Sequence, residues 1–387
     1  MAEGALRLPD LDERQLLVEL QSVGVRVEDD TGDAMPSRRG GAGPSDALFL
    51  WVRGLPLTVP RHASFVASSP YTLHLTDTGA MLYRGDDTVG PVKLPRRPRI
   101  YDMKTADGIP YWKIALLHLD SIASTVVQKC IYWGTDEQCA FCGIELTRGE
   151  QTIPVKTPAQ LAEVCTAARD LDGAVDVTLT TGSINRRDRG ALYISRCAAA
   201  IKEASGLPIQ VQFEPPDDPA VLEHVRDSGV DAVGIHIETF DPEVLARVAA
   251  GKALCGVEGY FRCWERAVEV FGRGRVTTYV ILGMGERPEL IEEGCRRAIE
   301  MGVYPFVVPL RPVPGTPLGD SPPPDPDYVA SIYRAVSAML AEVGLDHVEA
   351  KAGCARCQAC SGLSAWERVF RREEARAAGE LPVLHDG

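Results

Sequence analysis

Between residues 121 and 310 the apolar positions come in six nearly unbroken runs: STVVQK (124–129), AVDVTLTT (174–181), PIQVQFE (208–214), DAVGIHIE (231–238), RVTTYVILG (275–283) and PFVVPL (305–310). Runs without apolar/polar alternation suit strands covered on both faces, so they predict a parallel sheet. The segments between them have helical periodicity and clear start signals. Thr157-Pro158-Ala159-Gln160 is a capping box with proline at the first helical position, and Asp241-Pro242-Glu243 opens another helix in the same way. Six successive strand–helix units predict an α/β fold, a partial (βα)6 parallel barrel with right-handed crossovers. In such folds the site lies at the carboxyl ends of the strands.

The first third is patterned differently. LDERQLLVELQSV (11–23) predicts an amphipathic helix stopped at Gly24. Residues 29–46 are so rich in Gly, Pro and charge that a mobile loop is expected there. The short runs ALFLWV, YTLHLT and AMLYRG, separated by Pro and Gly, predict strands. The chain therefore divides into a small N-terminal α+β cap (1–110), the barrel (111–345) and a C-terminal cysteine-rich extension (346–387).

Composition narrows the partners. A net charge of −13 with only short, scattered basic runs argues against a nucleic-acid partner. No segment approaches the roughly 20 apolar residues of a membrane span, so no membrane partner is expected. The opening MAEGALRLPDLDERQ lacks the apolar core of a secretion signal, which makes a reducing cytoplasm the expected location.

Cysteine changes the picture most. Eleven cysteines in 387 residues would give a chance Cys-x2-Cys pair about 0.3 times, yet three such spacings occur. They fall in two clusters: Cys130, Cys139 and Cys142, directly after the first run, and Cys354, Cys357 and Cys360 in the extension. Three thiolates in one loop can hold three irons of a 4Fe-4S cube and leave the fourth iron open to a substrate or cofactor. Structural zinc and unligated buried thiols are the competing readings for both clusters. A structural zinc at the first would need a fourth ligand, and no further Cys or His lies nearby in sequence. Cys165, Cys197, Cys263 and Cys295 lie in predicted helices and read as core packing. Cys255 has no assignment.

Over residues 120 to 345 the chain resembles radical S-adenosylmethionine (SAM) enzymes, which share a six-unit partial barrel with a three-cysteine loop after the first strand. An aromatic residue usually precedes the third cysteine there, as Phe141 does here, although the usual Cys-x3-Cys spacing is lengthened to eight intervening residues between Cys130 and Cys139. The resemblance implies that these three cysteines hold a site-differentiated 4Fe-4S cluster and that SAM chelates its open iron. Reductive cleavage would then yield methionine and a 5'-deoxyadenosyl radical that abstracts hydrogen from a small organic substrate. An electron donor such as flavodoxin or ferredoxin is implied too.

SAM contacts are implied at the strand ends. Thr180, Thr181, Gly182 and Ser183 stand where the superfamily often has a Gly-Gly-Glu type segment. Gln212 and Glu214 share one face of the third strand, and Glu238 ends the fourth; the alternative for these carboxylates is an ion pair with a neighbouring Arg. His236 reads as a core histidine. Ile281 and Gly283 lie in a segment similar to the superfamily's Gly-x-Ile-x-Gly-x-x-Glu, whose isoleucine lies against adenine and whose glutamate braces the loop. Arg311 precedes a proline-rich Gly-Thr-Pro ending similar to that of biotin synthase and could hold a carboxylate of SAM or substrate. The second triad resembles the auxiliary iron–sulfur clusters that many such enzymes carry. More narrowly, residues 98 onward resemble a bacterial radical SAM family encoded beside nitrilase-type genes. Two other readings stay open: sulfur insertion as in biotin synthase, and a non-enzymatic iron–sulfur redox protein.

Overall fold

A computed structural model describes residues 12–28, 38–42, 47–76, 79–147 and 149–368. The first helix, α1 (Glu13–Val23), starts where the Asp12 carboxylate accepts from Arg14 N and stops at Gly24, whose φ of 73° suits glycine. It buries Leu16, Leu17 and Leu20 against a six-stranded sheet of β1 (Arg26–Glu28), β2 (Ala47–Val52), β3 (Leu55–Pro60), β4 (Tyr71–Thr76), β5 (Gly79–Arg84) and β6 (Asp87–Lys93). The strand order is β1-β4-β5-β6-β2-β3. This is the α+β cap, with its own small core.

The barrel follows in chain order: α2 (Tyr111–Ile114), β7 (Leu116–His118), β8 (Ser121–Thr125), α3 (Pro158–Asp172), β9 (Asp176–Thr180), α4 (Ala191–Ser205), β10 (Ile209–Gln212), α5 (Val221–Asp227) and β11 (Ala232–Gly234), then α6 (Pro242–Val248), α7 (Ala250–Ala253), α8 (Gly256–Phe271), β12 (Val276–Leu282), α9 (Pro288–Met301), β13 (Val303–Pro309) and α10 (Pro326–Val343). Strands β8 to β13 pair in sequential order and all parallel, and β7 adds an antiparallel hairpin partner to β8. The sheet ends at β13 and β7 without closing, so the barrel is partial. Ser121, Thr178, Gln212, Tyr279 and Phe306, from five of these strands, line one cavity, which makes the inner face of the curled sheet a bore. The outer face is sealed by helix residues such as Leu161, Ile194, Trp264 and Ile291, all buried. Each such side chain contributes about 1.5–3 kcal/mol by leaving water.

Both predicted helix starts form. Thr157 and Gln160 exchange side-chain and backbone hydrogen bonds at the head of α3, and the Asp241 carboxylate accepts from Glu243 N and Val244 N at the head of α6. Two expectations change. The first barrel strand covers 121–125 rather than 124–129, because Gln128 N turns to donate to Pro154 O at 2.7 Å and the chain leaves the ladder to enter the cysteine loop. Within the 29–46 stretch, residues 38–42 are packed rather than open. Arg38 is 1% exposed, Ala42 N donates to Thr125 Oγ1 at 2.6 Å, and a Cβ on Gly40 would stand 2.0 Å from Gly143 O. Glycine is what lets this backbone touch the cysteine loop. The remainder of 29–46 lies outside the described residues.

After α10 the chain crosses the amino ends of the barrel strands and forms the short helix α11 (Cys354–Cys357). Gly353 N donates to Asp176 at the start of β9, and Thr58 N on β3 donates to Ala359 O at 2.7 Å. The second triad thus sits between the foot of the barrel and the cap.

Candidate active site

The loop with Cys130, Cys139 and Cys142 follows β8 at the carboxyl ends of the strands and is held mostly through its backbone. Ile131 N donates to Ser183 O at 2.8 Å, Ala140 N to Val248 O at 2.7 Å, and Leu318 N to Ala140 O at 2.9 Å. Glu145 accepts from Cys130 N at 3.0 Å. Gly182 is required by contact, since a Cβ there would stand 1.9 Å from Lys129 O. Tyr132 is fully buried and receives Arg189 Nη1 at 2.6 Å. All three thiols are unpaired. Burial raises each above its ordinary pKa, Cys142 to about 12. Such thiols are inert unless something positive draws off the proton, as a bound metal does.

The buried ammonium of Lys252 supplies part of that charge. It donates to Glu238 Oε1 at 2.6 Å and to His236 O at 2.7 Å, and it favours the thiolates of Cys139 and Cys142. Glu238 itself has φ 74°, held by Glu238 N donating to Tyr279 O and Ile281 N donating to Glu238 O. A non-glycine residue in that region is a strained position of the kind found at working sites.

At the foot of the barrel the second triad is locked by side chains. Arg356 donates to Asp120 and Asp176 at 2.7–3.2 Å, and Asp176 also accepts from Gly353 N. Gln212 Nε2 reaches Cys354 Sγ at 3.4 Å, and Cys360 Sγ donates to Thr58 Oγ1 at 3.7 Å. Burial raises Cys354 to about 11 and Cys357 further.

One cavity of ≈ 380 Å³ connects the two ends. Cys142 lines it from above and Cys354, Cys357 and Cys360 from below. Tetrahedral thiolates at Zn–S ~2.3 Å stand roughly 3.8 Å apart. Among the described residues the three ligand atoms drawn within 4.8 Å of one another are those of Asp346, His347 and Glu367, not of either cysteine triad. The Asp346–His347–Glu367 group is a structural hydrogen-bond network, with Tyr304 OH donating to Glu367.

The candidate SAM contacts divide into two groups. Phe141, Thr180, Thr181, Gln212, Glu238, Ile281 and Arg311 line the bore. Gly182, Ser183, Glu214 and Gly283 do not. Ser183 Oγ donates to Glu214 at 2.7 Å, so this pair braces the cysteine loop. Gly283 N donates to Glu286, which also accepts from Met284 N, so the glutamate braces its own turn as the resemblance implied. Gln212 lies in the bore but reaches the lower triad. The neighbour of Glu238 is a lysine rather than an arginine. Lys252, His118 and residues 40–42 join the site without any sequence signal, because tertiary packing alone brings them there.

Residues 134–298 match the profile of the Radical SAM superfamily, a span that includes Cys139 and Cys142 and begins after Cys130. A curated relative, bacteriochlorophyllide c C-7(1)-hydroxylase of Chlorobaculum limnaeum, is 27% identical over 229 residues, covering 54% of this chain. The chain spans 57% of that relative's length. Similar solved structures include methylornithine synthase (20% identity, 55% of this chain and 60% of that one, TM-score 0.45) and a radical SAM methyltransferase from Sphaerobacter thermophilus (12%, 70% and 75%, TM-score 0.45). No helix among the described residues is long and apolar enough to cross a membrane.

Proposed function

We propose, on the support of the match between residues 134–298 and the Radical SAM superfamily profile, that the chain is a radical SAM enzyme and that Cys130, Cys139 and Cys142 would hold a 4Fe-4S cluster to which SAM would bind. With an electron from an external donor, a cluster and SAM held there would supply reductive cleavage of a carbon–sulfur bond and hydrogen abstraction from a small organic substrate. The observation carrying this reading is the placement of an unpaired thiol triad at the carboxyl mouth of a partial parallel barrel.

The chain's own residues then do four things. The backbone bonds of 131–142 fix the loop before any ligand arrives. Lys252 balances both Glu238 and the ionised thiols, while Glu238 and Thr180 offer oxygens to the amino and hydroxyl groups of SAM. Ile281 and Phe141 give an apolar rest for adenine. The cap and the packed 38–42 segment shield the bore from water, which limits loss of a reactive intermediate.

The lower triad reads as the site of a second iron–sulfur cluster, with Gln212 donating to one of its sulfurs, a contact that tunes cluster potential. Because this triad opens on the same bore, sulfur insertion at the expense of the lower cluster is the second reading. The test is anaerobic reconstitution followed by SAM and dithionite. Methionine and 5'-deoxyadenosine are expected, and no product above a cluster-free control contradicts the reading. Sulfide lost one-for-one with turnover would select sulfur insertion.

A further inference from the structure

Inside the bore one guanidinium has no carboxylate partner. Arg311 lines the bore with no hydrogen bond or ion pair to any described residue. The sole carboxylate among the lining residues, Glu238, is taken by Lys252. Next to the 40–42 wall, Arg38 is 1% exposed and donates through Nη2 to Trp112 O at 2.7 Å, while its Nε and Nη1 have no partner among the described residues. His118 also lines the bore, with Nε2 unpartnered. Burial is the main cause holding this imidazole neutral, down to about 3, and the guanidinium charges of Arg311 and Arg38 add to it. A chain with 54 acidic and 41 basic side chains has no shortage of carboxylates. A guanidinium without a carboxylate on the wall of a half-buried bore is a ready partner for the carboxylate of a ligand.

We infer that the bore binds a small organic carboxylate as substrate, its carboxylate paired with Arg311 beside His118 and its apolar body against Phe306, Val308 and Leu310. This rests on the proposed function for calling the ligand a substrate. A guanidinium matches a carboxylate with two parallel N–H bonds, and a neutral imidazole can add a third donor. The walls decide between anions: Phe306, Val308, Leu310 and Ile144 offer apolar surface that inorganic phosphate cannot use. On the proposed function SAM would chelate the upper cluster, so its carboxylate would not need Arg311.

The test uses anaerobically reconstituted protein with SAM and no reductant, so that binding is read without turnover. Butyrate, its neutral isostere butyramide and inorganic phosphate are titrated by calorimetry. Butyrate is expected to bind saturably and at least tenfold tighter than butyramide. Arg311→Gln should remove that margin, and Arg311→Lys should keep part of it, which shows that the site is still folded. Equal binding of butyrate and butyramide overturns the inference, as does tighter binding of phosphate. So does an Arg311→Gln variant that loses SAM affinity or iron from the lower triad in place of butyrate affinity, because Arg311 would then serve the cofactor or the cluster. Failure here is separable from failure of the proposed function. Wild-type protein that cleaves SAM yet ignores butyrate defeats only the inference, whereas wild-type protein that binds butyrate but forms no 5'-deoxyadenosine defeats only the radical reading.

Discussion

The two ends of the barrel carry three thiols each, Cys142 of the upper set and all three of the lower set lining one bore, and they hold them by different means. The upper loop is fixed through peptide groups, with a single buried ammonium nearby. The lower triad is fixed through a charged lock, Asp120–Arg356–Asp176, and is covered by the cap. Backbone fixation leaves side-chain space free for a ligand that comes and goes, while a side-chain lock fills that space and suits a permanent fixture. On the proposed function, exchange chemistry would belong to the top and a resident centre to the foot.

The strongest way to break the comparison is to remove the thiols of one end at a time. Cys139→Ala is expected to abolish SAM cleavage and lower bound iron by about four per chain, as read by 5'-deoxyadenosine and by iron assay. A Cys354/Cys357/Cys360 triple alanine variant should lose a similar amount of iron and still cleave SAM. If both variants lost cleavage and all iron together, the two ends would be one cooperative site.

Next come the two buried ion pairs. Asp176→Ala leaves Arg356 with Asp120 alone and Gly353 N without its acceptor, and should cost about 3 kcal/mol, seen as a lower denaturant midpoint, with iron lost from the lower triad first. Lys252→Met strands Glu238, 7% exposed, at a similar cost of about 3 kcal/mol, but its iron loss should fall on the upper triad. Loss at the opposite end in either variant would contradict the division.

The smallest effect is on pH. His118 and His236 both line the bore, and burial keeps each neutral below its ordinary value. On acidification the unfolded chain takes up protons from about pH 6.5 while the fold does not. Stability should therefore fall as pH falls, by up to about 1.4 kcal/mol per pH unit for each imidazole, and for His118 the fall should end near pH 3. His118→Asn should remove its share of the slope in unfolding midpoints measured from pH 7 to 5.

Much of this was legible in the sequence. Unalternating runs located all six parallel strands, and the boxes at Thr157 and Asp241 located two helix starts, because local hydrogen bonding and two-sided burial leave marks in consecutive residues. The cysteine spacing pointed to two clusters, and the structure places one at each end of the barrel. What consecutive residues do not record is which distant parts meet. Gln212 was readable as an inward strand residue, yet its partner Cys354 lies 142 positions away. Lys252 lies in the four-residue helix α7, which has no sequence pattern of its own, and the 38–42 segment hides a packed contact inside a composition that reads as loop. Sequence also could not show that one bore joins the triads, since that depends on the curl of the sheet.

The account rests most directly on the upper triad holding a cluster that SAM ligates. Electron paramagnetic resonance of the reduced Cys354/Cys357/Cys360 triple alanine variant, recorded with and without SAM, isolates that centre. A cluster signal that shifts on adding SAM is the predicted result. A spectrum unchanged by SAM, or no cluster signal at all, would contradict it.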